Sequence, residues 1–388
     1  MEAMAVIADS TSLTKFCDRL IKSSYITVDT EFMRDQTYWP RLCLVQIADE
    51  HEAAAIDTLA KGIDITPLLN LLTNPRILKI FHAARQDLEI FYRLMGKLPS
   101  PIFDTQIAAM VCGFGDSAGY DTLVRKLTDE TIDKSSRFTD WALRPLSQRQ
   151  INYALGDVTH LRQVYIKLNE MLGQNNRHNW MDEELSILRD TKNYTFEPED
   201  AWRRIKYRAP KPRFLAILKE VAAWREIEAQ NKDIPRNRIV RDESLIEISH
   251  HAPKTINDLS RARGLSLKKA EGSLGKALLN AVKVGLNVPS ENLPEVKRDA
   301  PLPKGIGPIT DLLKVLLKLK CEKHDVAQKL IATVNDMEQI AAFGQNANVP
   351  ALQGWRQEVF GIDALRLRSG QLAMVIKDHN LELVEINN

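Results

Sequence analysis

Apolar positions along the chain keep two rhythms. Over residues 1–195, short alternating or continuous runs rich in β-branched and aromatic residues predict strands at 4–7, 25–32, 42–48, 53–57 and 77–81. The acidic cluster Asp49-Glu50-His51-Glu52 between two of these runs predicts a hairpin turn, so the early strands are antiparallel. Helical spacing predicts helices at 12–22, 83–95, 105–111 and 148–172. Strands first, then strands alternating with helices, predict an α/β domain: a mixed sheet with helices packed on it. Beyond residue 197 the two-residue rhythm fades. Two helical stretches, 214–288 and 308–385, predict small bundles. The segments AWRRIKYRAPKPR (201–213) and NVPSENLPEVKRDAPLPKGIGP (287–308) read as linkers. The domain limits expected are 1–195, 208–290 and 305–385.

Composition changes this picture little, and charge changes it more. No apolar run approaches the ~20 residues of a membrane span; the stripe in DLLKVLLKLK (311–320) is bundle core. Four scattered cysteines with no C-x-x-C pair predict free thiols and a cytoplasmic chain, and the N-terminus lacks the pattern of a secretory signal. Residues 1–200 hold 22 Lys and Arg against 29 Asp and Glu, whereas the remainder holds 31 against 22. An acidic first half joined to a basic second half makes the second the candidate for contact with a polyanion, with Arg203, Arg204, Lys206, Arg208, Lys211 and Arg213 crowded into the first linker.

The predicted strand ITVDTEF (26–32) carries two acids. Residues i and i+2 of a strand share a face, so Asp29 and Glu31 point one way while Val28 and Thr30 point the other. Two like charges side by side on a half-buried strand need neutralising, and a divalent cation with a taste for carboxylate oxygen is one solution. An exposed edge strand is another. Asp87 opens an amphipathic helix whose apolar face is Leu88, Phe91, Leu94 and Met95; the helix dipole alone accounts for an acid there, and Glu89 is the competing acid. SQRQ at 147–150 is a capping box, and in the helix that follows Tyr153 and Asp157 stack one turn apart. His82, His250 and His251 lack a second ligand group at zinc spacing and read as structural or exposed.

D-x-E at Asp29–Glu31, an Asp 56 residues on at Asp87, and Y-x-x-x-D at Tyr153–Asp157 resemble the DEDD superfamily of 3′→5′ exonucleases in its tyrosine form. TYWPRLCLVQIA (37–48), FHAARQDLEIF (81–91), FDTQIAA (103–109) and TDWALRPLSQRQINYALGDV (139–158) are similar to the bacterial ribonuclease D family. AAWREIEAQNKDIPRNRIVRDESLIEI (222–248) resembles an HRDC domain, and 308–375 looks like a divergent second copy in which Lys320 stands in the place of a tryptophan.

The resemblance implies a ribonuclease-H-like catalytic domain followed by two all-α HRDC-like bundles. It implies hydrolysis from an RNA 3′ end with release of 5′-mononucleotides, transfer RNA precursors as substrate, and no obligate protein partner. It also implies two divalent ions, Mg²⁺ or Mn²⁺, held by Asp29, Glu31, Asp87 and Asp157, with the Tyr153 hydroxyl orienting the attacking water. Tyr38 and Trp39 are candidates to stack on a terminal base, and Arg144 to clamp a phosphate. A DNA exonuclease with the same ligands, and an RNA-binding protein whose catalytic domain has decayed, are the competing readings.

Overall fold

The structure is a computed structural model that describes residues 4–208, 211–295 and 302–386. Six strands form one mixed sheet: β1 (Met4–Ile7), β2 (Tyr25–Met33), β3 (Arg41–Ala48), β4 (Ala53–Asp57), β5 (Leu78–Phe81) and β6 (Ile102–Asp104). Their order is β1-β4-β3-β2-β5-β6. The β2–β3 and β3–β4 pairs are antiparallel, and the turn after Ala48 is the predicted hairpin. The remaining pairs are parallel.

Side-chain alternation sorts the two faces. Ile26, Val28, Val45, Ile47, Ala54 and Ile56 fill one core with helices α1 (Ser10–Leu20), α2 (Thr66–Leu72) and α3 (Arg85–Met95). Helices α4 (Thr105–Val111) and α5 (Tyr120–Thr128) follow. The long α6 (Gln148–Gln174) covers the other face of the sheet, started by a capping box in which Ser147 and Gln150 satisfy each other's backbone. The run AAAID in β4 explains how closely it sits: Ala53 and Ala55, with Ala48 of β3, meet Ala154, Leu155 and Val158 of α6 with few atoms between the two backbones. The Thr27 hydroxyl donates to the Val158 carbonyl at 2.8 Å, which fixes the odd-numbered face of β2 against α6. Asp29 and Glu31 share that face.

After α7 (His178–Arg189) the chain turns helical, but the first segment read as a linker is built structure. A 3₁₀ helix spans Pro198–Arg204, and Ala201, Trp202 and Ile205 are buried in a core with α8 (Pro212–Lys232) and the helix Ser273–Asn287. Half of its basic cluster is engaged locally. Arg203 pairs with Asp200 at 2.7 Å, Arg204 lies 3.6 Å over the Phe196 ring, and Arg213 donates to the carbonyls of Gly285, Leu286 and Val288. Lys206, Arg208 and Lys211 stay exposed. In the second linker, residues 296–301 lie outside the described residues.

The C-terminal stretch is helical only to Arg368. It ends in a hairpin, β7 (Leu372–Lys377) and β8 (Asn380–Glu385), where all-helical structure is expected. The turn residues Asp378 and His379 both have positive φ, as a two-residue hairpin of right-handed twist requires. No helix among the described residues is long and apolar enough to cross a membrane, and all four cysteines are free and buried.

Candidate active site

β2 delivers Asp29 and Glu31 to the α6 side of the sheet, and a bulge directly after Glu31 shifts the ladder, which resumes at Phe32 opposite Leu42. From above, the first turns of α6 deliver Tyr153 and Asp157. Carboxylate oxygens of Asp29, Glu31 and Asp157 all lie within 4.8 Å of one another. Asp87 comes from the start of α3, on the opposite face, and its Oδ1 accepts the Thr30 hydroxyl at 2.5 Å. It stands beside this group of three rather than in it, close enough for its charge and that of Asp29 to repel. Glu89, the competing acid, is turned away in a bidentate pair with Arg34 at 2.8 and 2.9 Å.

Electrostatics make the cluster unstable as a set of bare anions. Burial, and then the charge of Asp157, pushes Asp29 well above the usual carboxylate range. Burial, reinforced by Asp29, Asp157 and Asp87, pushes Glu31 up to about 10. Burial raises Asp157 to about 7, with the Tyr153 hydroxyl and Arg137 pulling the other way. Asp87 rises through burial and then through Asp29. Burial and the nearby acids also push the Tyr153 phenol up, so it stays a proton donor at neutral pH. The donor set is all carboxylate oxygen, the set that hard divalent cations prefer, so the residues present fit a divalent metal.

The acids open onto a cleft of about 670 Å³, within the roughly 300–1,000 Å³ of ligand clefts. Its other wall comes from the segment between α5 and α6, which contributes Lys134, Arg137, Phe138 and Trp141. Sequence reasoning missed these residues, although KSSRF (134–138) mixes cations with an aromatic residue just ahead of the capping box. Tyr120, also missed, donates to the carbonyls of Asp157 and Gly156 at 2.8 and 3.2 Å and so holds the ligand turn of α6 in place. His82 lines the cleft with Nδ1 3.0 Å from the Thr105 hydroxyl, and burial favours its neutral form.

Three expected substrate contacts are engaged elsewhere. The Tyr38 hydroxyl donates to buried Glu226 of the first helical bundle and accepts from Gln230. The Trp39 amide donates to Asp233 at 3.0 Å, and Arg93 covers its ring at 3.5 Å. Both aromatics therefore belong to a domain contact, not to the cleft. Arg144 forms a bidentate pair with Asp57 at 2.6 Å and donates to the carbonyls of Trp141, Leu143 and Cys43. It fastens the cleft segment to the sheet and has no donor left for a phosphate.

Fold and site together define a nuclease of the 3′→5′ exonuclease class, and a family model described as "3'-5' exonuclease" matches residues 4–173, with an HRDC domain model over 214–282. The chain is 48% identical over 388 residues to a ribonuclease D of Sphingobium indicum, covering 99% of both chains. It is 44% identical to that of Bartonella henselae, covering 99% of this chain and 94% of the relative. The crystal structure of Escherichia coli RNase D, titled an exoribonuclease involved in structured RNA processing, superposes with a TM-score of 0.80 at 32% identity, covering 94% of this chain and 98% of that one. The chain belongs to the ribonuclease D family, and it is a 3′→5′ exoribonuclease.

Proposed function

We propose that this protein trims the 3′ ends of cytoplasmic transfer RNA precursors, one 5′-mononucleotide at a time and without an obligate protein partner. In this reading Asp29, Glu31, Asp87 and Asp157 hold two divalent ions, Mg²⁺ or Mn²⁺. The carrying observation is the trio of carboxylates within 4.8 Å of one another at the floor of a cleft, each raised far above its ordinary pKa. When bound, such ions supply an activated water and neutralise the charge that builds on the scissile phosphate. The chain's own groups do the rest. Tyr153, kept protonated beside Asp157, orients the attacking water through its hydroxyl. Arg137 sets a positive charge near Glu31 and Asp157. Tyr120 keeps the Asp157 turn rigid, and Asp87 keeps its orientation through Thr30.

Asp29→Asn tests the assignment with two readouts. Activity on a short RNA should fall by at least a thousandfold, and the rise in melting temperature on adding Mn²⁺ should vanish. The metal-free variant should melt higher than wild type, because Asn needs neither to bury a charge nor to take up a proton on folding. Retained Mn²⁺ stabilisation would refute the metal assignment. Hydrolysis of RNA and DNA oligonucleotides of one sequence, measured side by side, decides between the RNA and DNA readings.

A further inference from the structure

Phe138 is the most exposed large hydrophobic residue among those described, at 90%. It is not at a chain end or on an outer loop; it lines the catalytic cleft together with Asp29, Glu31, Tyr153 and Asp157. The backbone on both sides of it is anchored. Ser136 and Trp141 are each 2% exposed. Thr139 donates its hydroxyl to the Ser136 carbonyl at 2.8 Å and accepts from Gln150 of α6 at 3.2 Å, and Arg144 ties down the Trp141 and Leu143 carbonyls. The Arg137 guanidinium lies 5.2 Å from the centre of the ring, within cation–π range. The ring is thus held out into the cleft by a fixed loop.

Trp141 and Tyr120, two other aromatic side chains of the cleft, are committed. Trp141 is buried beside Tyr153 at 6.1 Å, and Tyr120 packs on His82 at 5.4 Å with its hydroxyl bonded to α6. With Tyr38 and Trp39 locked in the domain contact and Phe32 half-buried at the end of β2, Phe138 is the most open aromatic platform among the described residues of the cleft. We infer that Phe138 is a stacking shelf for a base at the 3′ end of the substrate strand, with Arg137 beside it to meet the backbone phosphate. The inference rests on the exonuclease reading of the same cleft. Every base presents a π-face, so a shelf of this kind accepts any base and requires one to be there. That suits an enzyme that must pass each nucleotide of a changing sequence through one site.

The test compares two short single-stranded RNAs that differ only in whether the 3′-terminal residue carries its base or is abasic. Binding is read by fluorescence anisotropy in EDTA, so that no hydrolysis intervenes. Phe138→Ala should weaken binding of the intact RNA about five- to a hundredfold and leave the abasic RNA unchanged, while Phe138→Trp restores the difference. With Mn²⁺ present, Phe138→Ala should raise KM by a similar factor with kcat within about twofold. An unchanged melting temperature controls for folding, since the ring is exposed. Equal binding by wild type and Phe138→Ala, or equal weakening toward both RNAs, overturns the shelf. If the intact RNA alone loses affinity but wild type hydrolyses neither RNA, the shelf stands and the exonuclease reading fails. If wild type hydrolyses RNA and Phe138→Ala binds normally, the reverse holds.

Discussion

The two helical regions that follow the catalytic domain touch it in different ways. The first has a core of its own, from Ala201 to Val282, and meets the sheet domain through the Tyr38 ring packed on that core and through individual polar contacts: Tyr38 with Glu226, the Trp39 amide with Asp233, and Gln36 with Arg238 at 2.5 Å. The C-terminal bundle has no separate core. Leu313 to Ala364 join the same cluster as the α1–α3 face of the sheet. Trp355 stacks on Trp180 of α7 at 4.1 Å and 9°, and Arg356 pairs with Glu183 and Glu184. The Ala327 amide donates to the Met110 carbonyl at 2.9 Å. At Gly113, φ is +81° and a Cβ would sit 2.8 Å from the Asp325 backbone, so only glycine permits the approach. One module is attached to the catalytic domain; the other completes it. The side chains of the C-terminal bundle fit this. Lys320 is 8% exposed and paired with Asp363.

The contrast can be broken most forcefully at the tryptophan stack. Trp355→Ala should cost about 3–5 kcal/mol and lower the unfolding midpoint of the catalytic domain itself, with short-substrate activity lost in parallel on urea titration. Glu226→Ala should cost about 1–3 kcal/mol, because Glu226 is fully buried and the Tyr38 hydroxyl loses its acceptor. That loss should fall on the first bundle and on its Tyr38 contact with the sheet domain, leaving short-RNA turnover within about twofold. If both substitutions shift one common transition, the distinction between the modules fails.

A pH series separates the regions again. Asp157 near 7 and Glu31 near 10 stand above their ordinary 3.8 and 4.5, so between those limits the folded chain holds protons that the unfolded chain has released. Stability of the metal-free catalytic domain is therefore greatest below about pH 4 with respect to these groups, and it falls as pH rises through 7 toward 10. Metal competes with those protons, so the Mn²⁺-induced rise in melting temperature should grow by a few degrees from pH 6 to pH 8. The first bundle's transition should not follow this trend; scanning calorimetry would show it. The smallest effect expected is electrostatic. Replacing Lys206, Arg208 and Lys211 together by Ala should flatten the slope of log affinity for RNA against log salt by about 2, at roughly 0.7 per phosphate contact, with short-substrate kcat unchanged.

The sheet of the catalytic domain was legible where burial imposed a period. β1, β4 and α4 match their predicted limits, and the capping box marked the start of α6. Period two put Asp29 and Glu31 on one face, and one helical turn put Tyr153 over Asp157, so most of the acidic cluster was readable locally. Short elements without a cap signal, such as α5 after Gly119 and the three-residue β6, were not. Nor was the terminal hairpin, whose turn uses Asp378 and His379 where Asn-Gly would have announced it. The engagements of Tyr38, Trp39 and Arg144 were hidden for a different reason. Their partners lie 188, 194 and 87 residues away in sequence, and nothing local shows that an aromatic hydroxyl or a guanidinium is already engaged.

The shared core also has a consequence for the order of synthesis. The surface of α7 around Trp180 leaves the ribosome long before Trp355 arrives to cover it. At ordinary elongation rates of about 5–20 residues per second, the nascent nuclease spends roughly ten to forty seconds with that apolar face open. A chain cut short after the first bundle never closes it. Such a fragment would carry every acid of the cleft and leave the Trp180 surface uncovered, the kind of exposed apolar face that chaperones and proteases engage.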